Sequence, residues 1–262
     1  MKPHLILSTA LAFSLAACSQ PATDDPVETP ADTTVSASTL DAAVANEARP
    51  ESARELDANR KPAEVLAFFG LEDGDDAVDV ISGGGYWAEI LVRAVGENGS
   101  VTALEPEQFY DEKAWSALSE REPRIAVERY PFESFTPGPD RFDFAIMNLN
   151  YHDVYWESEQ FGVPRSEPQE FLAQLFAAMK PGGVVGVIDH AGKEGDTRAI
   201  VDETHRIAPS VVRTDFEAAG FVLEDASSML ANPEDDYDTS VFDPAIRGKT
   251  DRFMMKFVKP AE

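Results

Sequence analysis

The chain has 262 residues, 43% of them hydrophobic, and a formal net charge of −26 at pH 7. This length and composition are sufficient for one large α/β domain with a sizeable core. Because so strong a negative charge repels phosphate backbones, nucleic acid is not expected as a direct partner.

The N-terminal residues have the pattern of an export signal. Lys2 is followed by an apolar run over residues 5–17, which is too short to span a bilayer. The run ends in Leu15-Ala16-Ala17-Cys18, which resembles the lipobox of bacterial lipoproteins. The resemblance implies a signal peptide over residues 1–17, lipidation of Cys18 and an exported protein on the periplasmic face of a membrane. Ser19 favours the outer membrane, and a signal that ends near an incidental cysteine is the alternative.

Residues 18–48 are rich in Ala, Thr, Pro, Asp and Ser and lack apolar periodicity. Such a segment buries too little surface to fold, so it is predicted to be a flexible tether. The globular domain is then expected over residues 49–262. Because Cys18 is the single cysteine of the sequence, no disulfide can form within that domain.

From residue 50 onward, predicted helices and strands alternate. Helices are predicted over 52–60, 63–70, 86–95, 111–121, 167–179 and 211–219, and strands over 77–81, 101–104, 125–128, 142–149, 184–188, 221–230 and 252–258. This alternation predicts a doubly wound α/β fold with a mostly parallel sheet covered on both faces. The last two strands have no helix between them, so they are expected to pair antiparallel at one edge.

The turn Ser82-Gly83-Gly84-Gly85 is the predicted ligand site. It follows the first strand, at the edge where open α/β sheets bind ligands. Glycines let a ligand approach the main chain closely, and the next helix directs its free N–H groups toward the turn. Glu105 ends the second strand, where a carboxylate can accept hydrogen bonds from ribose hydroxyls. A nucleoside-type cofactor is therefore predicted here.

Two types of nucleoside cofactor fit this turn. Gly83-x-Gly85-x-x-Ala88 satisfies the dinucleotide pattern, so a dinucleotide-dependent oxidoreductase is one alternative. Asp79 inside the first strand and the Pro-Gly-Gly turn at 181–183 count against it. The order of elements instead resembles the class I S-adenosylmethionine-dependent methyltransferases. That resemblance implies a Rossmann-like sheet of seven strands, mostly parallel, with the last strand antiparallel.

Five segments extend the resemblance over almost the whole predicted domain: residues 54–62, 67–70, 83–86, 150–153 and 241–253. They are similar to a family of predicted bacterial methyltransferases, many of them exported, for which no substrate is well defined. The resemblance implies S-adenosylmethionine as cofactor and a small molecule as methyl acceptor.

The resemblance also implies a set of cofactor-binding residues. Asp79 would orient the turn and the amino group of the cofactor, and Glu105 would hold its ribose. The full expected set is Asp79, Ser82, Gly83, Gly84, Gly85, Tyr86, Glu105, Asn148 and Asn150. Ile81 departs from the pattern because it stands where the general motif has its first glycine. A β-branched residue does not easily adopt positive φ, so an altered geometry of the bound cofactor is expected.

Candidate catalytic residues follow the fourth and fifth strands, whose ends face one crevice. They are His152, Asp153 and His190, since a weakly nucleophilic acceptor needs a base. Together with Asp189 these side chains also have the chemistry of a divalent-metal site, but their spacing does not require one and no metal is expected. His205 is interpreted as structural or exposed. Some of five aromatic residues are expected to line a pocket for an apolar or cationic substrate, and the others to belong to the core. The five are Tyr86, Trp87, Tyr151, Tyr155 and Trp156.

The predicted location and the predicted cofactor conflict, because S-adenosylmethionine is made in the cytoplasm. The leading hypothesis is nevertheless a methyltransferase that acts on an unidentified small molecule. A non-catalytic periplasmic lipoprotein that binds a nucleoside-like or aromatic ligand is the second hypothesis, and the dinucleotide-dependent oxidoreductase is the third.

Overall fold

The computed structural model describes Met1 and residues 33–261. The predicted signal peptide beyond Met1, the predicted lipidation site Cys18 and the tether up to residue 32 lie outside the described residues. In the described part of the chain, no helix combines the length and the apolar character needed to cross a bilayer.

One sheet of seven strands forms within residues 33–261. The strands are β1 Asp76–Val80, β2 Ser100–Pro106, β3 Ile125–Tyr130, β4 Phe142–Asn148, β5 Met179–His190, β6 Val222–Ser227 and β7 Arg252–Val258. Their order is β3-β2-β1-β4-β5-β7-β6. Neighbours among β1 to β5 pair in parallel, whereas β7 runs antiparallel to both β5 and β6. The predicted doubly wound sheet with a reversed last strand is thus confirmed.

Helices cover both faces of the sheet. They are α1 Ala37–Val44, α2 Glu51–Arg54, α3 Asp57–Arg60, α4 Pro62–Phe69, α5 Tyr86–Ala94, α6 Glu112–Arg121, α7 Pro168–Ala178, α8 Thr197–Thr204 and α9 Pro209–Ala218. Short 3-10 helices span Glu107–Phe109 and His152–Tyr155. Successive residues of β1 enter different cores: Val78 and Val80 pack with α7 and α9, and Ala77 packs with α4 and α5. Both faces are buried, as expected for parallel strands.

The compact unit begins earlier than the sequence predicts, at residue 33 rather than 49. The Ser36 hydroxyl caps α1 by accepting a hydrogen bond from the Thr39 amide (3.2 Å). Leu40 and Ala43, three residues apart on one face of the helix, are buried in the core. The tether prediction is therefore wrong for residues 33–48. Its polar average composition concealed a short amphipathic helix.

Other differences concern the ends of elements. The predicted helix over 52–60 is divided into α2 and α3. Lys61, which follows α3, has φ of 45° and so terminates that helix. Helix α8 was not predicted, and it begins where Asp196 accepts a hydrogen bond from the Ala199 amide. Strand β5 begins at Met179 instead of residue 184, because an irregular register lets Met179 pair with Phe142.

Candidate functional site

The glycine turn connects β1 to α5, and its glycines have different roles. Gly83, Gly84 and Gly85 have φ values of 59°, 90° and 83°. A Cβ atom on Gly85 would lie 2.2 Å from Leu118 Cδ2, so this glycine permits the packing of α6. A Cβ atom on Gly84 would meet nothing within 4 Å. Gly83 and Gly84 are exposed, and they form the open part of the turn.

Ile81 adopts the left-handed conformation that the sequence argument considered difficult for it. Its φ is 53°, and its side chain is buried. The β-branched side chain thus does not prevent positive φ here, and the altered cofactor geometry stays a prediction. A left-handed residue with a Cβ atom costs about 1–2 kcal/mol. Leu149 and His205 share this conformation, with φ of 58° and 52°.

Asp79 fixes the turn to the helix that follows it. Its Oδ2 accepts hydrogen bonds from the Ser82 hydroxyl and from the Ala88 amide, the latter at 3.1 Å. The carboxyl is buried, and burial raises its pKa to about 7 despite these two donors. These contacts join the turn to α5, and the predicted contact of Asp79 with the amino group of the cofactor stays a prediction.

Glu105 lies behind the turn. Its Oε2 accepts a hydrogen bond from the Gly83 amide at 2.8 Å. Among the described residues its buried Oε1 has no partner in good hydrogen-bond geometry, although the Trp115 side chain is close enough to lower the pKa of the carboxyl. Burial raises the pKa of this carboxyl to about 7. A buried acceptor without a donor is costly to a folded chain and marks a place where a ligand hydroxyl can bind.

A cavity of about 200 Å³, here named the turn cavity, separates the glycine turn from the end of β4. Six of the predicted cofactor residues line it: Asp79, Ser82, Gly83, Tyr86, Asn148 and Asn150. The other three, Gly84, Gly85 and Glu105, lie outside its lining. The remaining lining residues are Arg60, Ile81, Trp87, Phe109, Leu149 and Asp153.

Asn150 ties the loop after β4 to the end of β1. Its Nδ2 donates hydrogen bonds to the carbonyls of Val80 at 2.8 Å and Ile81 at 2.9 Å. Its buried Oδ1 has no hydrogen-bond partner within the described part of the chain. The turn cavity thus has one unused acceptor in its lining, at Asn150, and a second lies behind the turn, at Glu105.

Arg60 is a cavity residue that the sequence interpretation missed. Its guanidinium carbon lies 4.2 Å from the centre of the Tyr86 ring. The Tyr86 hydroxyl donates to Asp57 at 2.7 Å, and Asp57 also forms two hydrogen bonds of 2.8 Å with Arg49. The α3 segment thereby holds a cation at the wall of the turn cavity. Arg60 belongs to segment 54–62, which resembles the predicted bacterial methyltransferases, and that resemblance could have identified it as a site residue.

A larger cavity of about 700 Å³, here named the histidine cavity, adjoins the turn cavity. Phe109, Leu149 and Asp153 line both. The other lining residues are His152, Trp156, Ser158, Gln160, Phe161, His190, Asp202, His205, Val241 and Phe242. All three predicted catalytic residues, His152, Asp153 and His190, therefore face this one space.

His152 and Asp189 form a buried ion pair at the floor of the histidine cavity. His152 Nδ1 lies 2.7 Å from Asp189 Oδ1, and the His152 amide donates to Asp189 Oδ2 at 2.9 Å. Burial favours a neutral imidazole, but Asp189 and Asp153 outweigh it and raise the pKa of His152. The charge of His152 in turn lowers the pKa of Asp189 against the effect of burial.

Asp153 lies on the other side of the His152 ring, where the two cavities meet. Its Oδ1 is 3.5 Å from His152 Nε2. Burial raises the pKa of Asp153 to about 6, although the charge of His152 acts in the opposite direction. At neutral pH this carboxyl is therefore mostly ionised and able to accept a proton.

The other two histidines are neutral at neutral pH. His190 Nδ1 lies 2.7 Å from the Thr250 hydroxyl, and burial lowers the pKa of His190 to about 3. Burial also lowers the pKa of His205 to about 4. The ring centres of His190 and His205 are 5.9 and 5.7 Å from that of His152. The interpretation of His205 as structural or exposed missed its place in this cavity, where it is half-buried.

The predicted aromatic pocket is divided between several places. Tyr86 and Trp87 line the turn cavity, and Trp156 lines the histidine cavity. Tyr151 and Tyr155 face away and donate hydrogen bonds to Asp215 in α9, Tyr151 at 2.8 Å. The histidine cavity obtains its other aromatic walls from residues that the sequence did not single out: Phe109, Phe161 and Phe242.

The acidic and imidazole groups do not form a metal site. Within residues 33–261, no group of three or more His, Cys, Asp or Glu side chains has an arrangement that could hold a metal ion. The Nδ1 atoms of His152 and His190 are already engaged by Asp189 and Thr250.

No protein-family model and no curated protein matches the sequence. Solved structures do match. An S-adenosylmethionine-dependent methyltransferase from Aquifex aeolicus has a TM-score of 0.54 at 22% identity, over 86% of this chain and 98% of that chain.

Two further structures have the same architecture. The [4+2]-cyclase SpnF has a TM-score of 0.57 at 19% identity, over 83% of this chain and 86% of its own. The second is the 1,6-didemethyltoxoflavin-N1-methyltransferase of Burkholderia thailandensis, solved with bound 1,6-didemethyltoxoflavin and S-adenosylhomocysteine. It has a TM-score of 0.51 at 16% identity, over 80% of this chain and 79% of that chain. The chain therefore has the fold of the class I S-adenosylmethionine-dependent methyltransferases.

Proposed function

We propose that this protein is an S-adenosylmethionine-dependent methyltransferase that acts on a small molecule. The observation that supports this most directly is the pair of adjoining cavities that share Asp153. Both lie at the carboxyl ends of parallel strands, where open α/β sheets bind ligands. A cofactor in the turn cavity and an acceptor in the histidine cavity would meet beside Asp153.

The residues around the turn fit the cofactor. The unpartnered Oε1 of Glu105 is an acceptor for a ribose hydroxyl, and Arg60 is a cation for the carboxylate of the methionine part. At about 200 Å³ the turn cavity is smaller than the roughly 300–1,000 Å³ of most ligand sites. Binding would therefore exchange the bond between Gly83 and Glu105 for bonds to ribose, and the two exposed glycines permit that movement.

The remaining chemistry belongs to side chains of the histidine cavity. When bound, the cofactor supplies an electrophilic methyl group on a sulfonium. Asp153 would accept the proton that the acceptor loses, and its pKa of about 6 suits that role near neutral pH. His152, held by Asp189, would position Asp153. Alignment of acceptor and methyl group would contribute most of the remaining rate enhancement.

A non-catalytic ligand-binding protein on the same fold is the competing function. One observation favours it: Glu105 is bonded to Gly83 and lies behind the turn instead of facing the turn cavity. SpnF, named a cyclase, also has this fold, so the architecture alone does not identify the reaction.

Calorimetric titration of the purified full-length protein tests the proposal. We expect heat of binding with S-adenosylmethionine and with S-adenosylhomocysteine, and none with NADH. Absence of heat with both sulfur nucleosides would overturn the methyltransferase, and heat with NADH alone would favour the oxidoreductase. Binding without formation of S-adenosylhomocysteine from S-adenosylmethionine, across a panel of amines, phenols and thiols, would favour the non-catalytic protein.

We also propose that the protein is an exported lipoprotein, anchored through Cys18 to the periplasmic face of a membrane. The lipobox-like Leu15-Ala16-Ala17-Cys18 supports this. Metabolic labelling with a palmitate analogue, compared with the Cys18→Ser variant, tests it. Equal labelling of the two proteins would contradict the anchor.

A further inference from the structure

We propose that the histidine cavity selects a cationic arylalkylamine, a small molecule in which an alkyl arm joins one aromatic ring to a protonated amino group. The amine would be the methyl acceptor, so the transfer step, though not the binding preference, rests on the proposed function.

The walls of the histidine cavity favour an aromatic ring. Four aromatic side chains line it: Phe109, Trp156, Phe161 and Phe242. Phe161 and Phe242 are 61% and 57% exposed. They are two of the four large hydrophobic side chains exposed within residues 33–261, and both lie on this cavity. Apolar side chains left open at one concave place mark a surface that a ligand covers.

The charges of the histidine cavity favour a cation. Among the described residues that line it there is no Lys or Arg, whereas Asp153 and Asp202 contribute carboxylates. The positive charge of His152 is matched by Asp189, and His190 and His205 are neutral. The cavity is therefore negative at neutral pH, where alkyl amines are protonated. Aromatic faces attract a cation as well, so walls and charges select the same ligand.

The position of Asp153 directs the amino group toward the turn cavity. Among residues 33–261, Asp153 is the one charged residue that lines both cavities. An ammonium paired with it would lie at the junction, with the aromatic ring among Trp156 and the phenylalanines. Asp202 lies in α8 and contributes a second negative charge to the lining of the histidine cavity.

The transfer step balances without another reactant. The ammonium gives one proton to the Asp153 carboxylate and becomes a neutral amine. Its lone pair forms the new nitrogen–carbon bond while the carbon–sulfur bond of the sulfonium breaks. The electron pair of that bond goes to sulfur, which leaves as a neutral thioether, and the product is a methylated ammonium.

Three probes with the same ring and different charges test the preference. The purified full-length protein is titrated by calorimetry with 2-phenylethylamine, 2-phenylethanol and phenylacetate, with and without saturating S-adenosylhomocysteine. We expect the amine to bind at least tenfold more tightly than phenylacetate and more tightly than the alcohol. The Asp153→Asn variant should lose that tenfold preference. The Trp156→Leu variant should lower the affinity for the amine and the affinity for the alcohol by a similar factor.

A matched control comes from the same helix as Asp202. Glu203→Gln removes an exposed charge that does not line the cavity, and it should leave all three affinities unchanged. Asp202→Asn should reduce the preference about threefold, which keeps the test informative if Asp153→Asn does not fold. Equal or tighter binding of phenylacetate by the unaltered protein would overturn the amine proposal. Failure of S-adenosylhomocysteine to bind would instead overturn the methyltransferase, since the amine preference is also measured without it.

Discussion

The two adjoining cavities are constructed in different ways. One wall of the turn cavity is a short run, Asp79 to Tyr86, shaped by backbone conformation and local hydrogen bonds, and the loop after β4 forms the wall opposite. The histidine cavity collects side chains from segments far apart in the sequence, and its floor is an ion pair between the loop after β4 and the end of β5. The comparison indicates that backbone changes should disturb mainly the turn cavity, whereas side-chain changes should affect either cavity.

The largest expected effect comes from breaking the ion pair below the histidine cavity. His152→Ala leaves Asp189 as a buried charge without its partner, and we expect the free energy of unfolding to fall by about 3–5 kcal/mol. Urea denaturation measures this. Adding Asp189→Asn removes the stranded charge and should restore part of the loss. If the unfolding free energy of His152→Ala alone lay within about 1 kcal/mol of that of the unaltered protein, the role of the pair would be contradicted.

The turn cavity is tested by Glu105→Gln, which keeps the shape of the side chain and removes its charge. We expect the affinity for S-adenosylhomocysteine at pH 8 to fall by about 2 kcal/mol, or roughly thirtyfold, because hydrogen bonds to a charged group are weakened. Glu107→Gln, an exposed change two residues later, is the control and should bind normally. Equal affinity of both variants in calorimetry would remove Glu105 from the site.

The pH dependence of stability reports on the neutral histidines. Burial holds the pKa of His190 at about 3, below its value of about 6.5 in the unfolded chain, so the unfolded chain binds a proton that the folded chain does not. Stability due to this group is present above pH 6.5 and is lost as the pH falls toward 3. Asp189 opposes this shift, whereas His152, Arg206 and Arg252 reinforce it.

The His190→Asn variant isolates that contribution. Relative to the unaltered protein, it should gain about 2 kcal/mol in unfolding free energy between pH 7 and pH 5. Paired urea titrations at the two pH values measure the difference. Parallel pH profiles for the two proteins would show that His190 is protonated in the fold.

The smallest expected effect concerns the backbone at Ile81. Replacement by Gly or Ala removes the same buried side chain, but only Gly adopts φ of 53° without a clash. We expect Ile81→Gly to be more stable than Ile81→Ala by about 1 kcal/mol, the reverse of the usual order. At Val80, inside β1, the same two substitutions should follow the usual order, with Ala more stable. An Ala variant that is more stable than Gly at both positions would contradict the strain at Ile81.

The fold was predictable because its strands are short apolar runs separated by turn residues. All seven strands and their antiparallel ending follow from that pattern. The α1 and α8 helices were missed because each buries few residues: Leu40 and Ala43 in one, Val201 and Thr204 in the other. So weak an apolar signal cannot be distinguished from a polar linker without the surface against which it packs.

The site was predictable where it depends on neighbours in sequence. Asp79, Ser82 and Gly83 meet because they follow one strand, and His152 and Asp189 meet because parallel strands end at one edge of the sheet. Phe161 and Phe242 come from loops, whose paths no spacing rule determines. For Glu105 the sequence indicates the end of a strand, but it does not specify whether the carboxylate faces the cavity or the back of the turn.

The loop after β4 is fastened to three separate elements. Asn150 binds the end of β1, Tyr151 binds Asp215 in α9, and His152 binds Asp189 in β5. Such a floor is preorganised, so a ligand does not have to order it on binding. The same rigidity limits adaptation: an acceptor whose nitrogen is misplaced by about 1 Å would react on the order of 100-fold more slowly. We therefore expect narrow selectivity for the length of the arm between ring and amine.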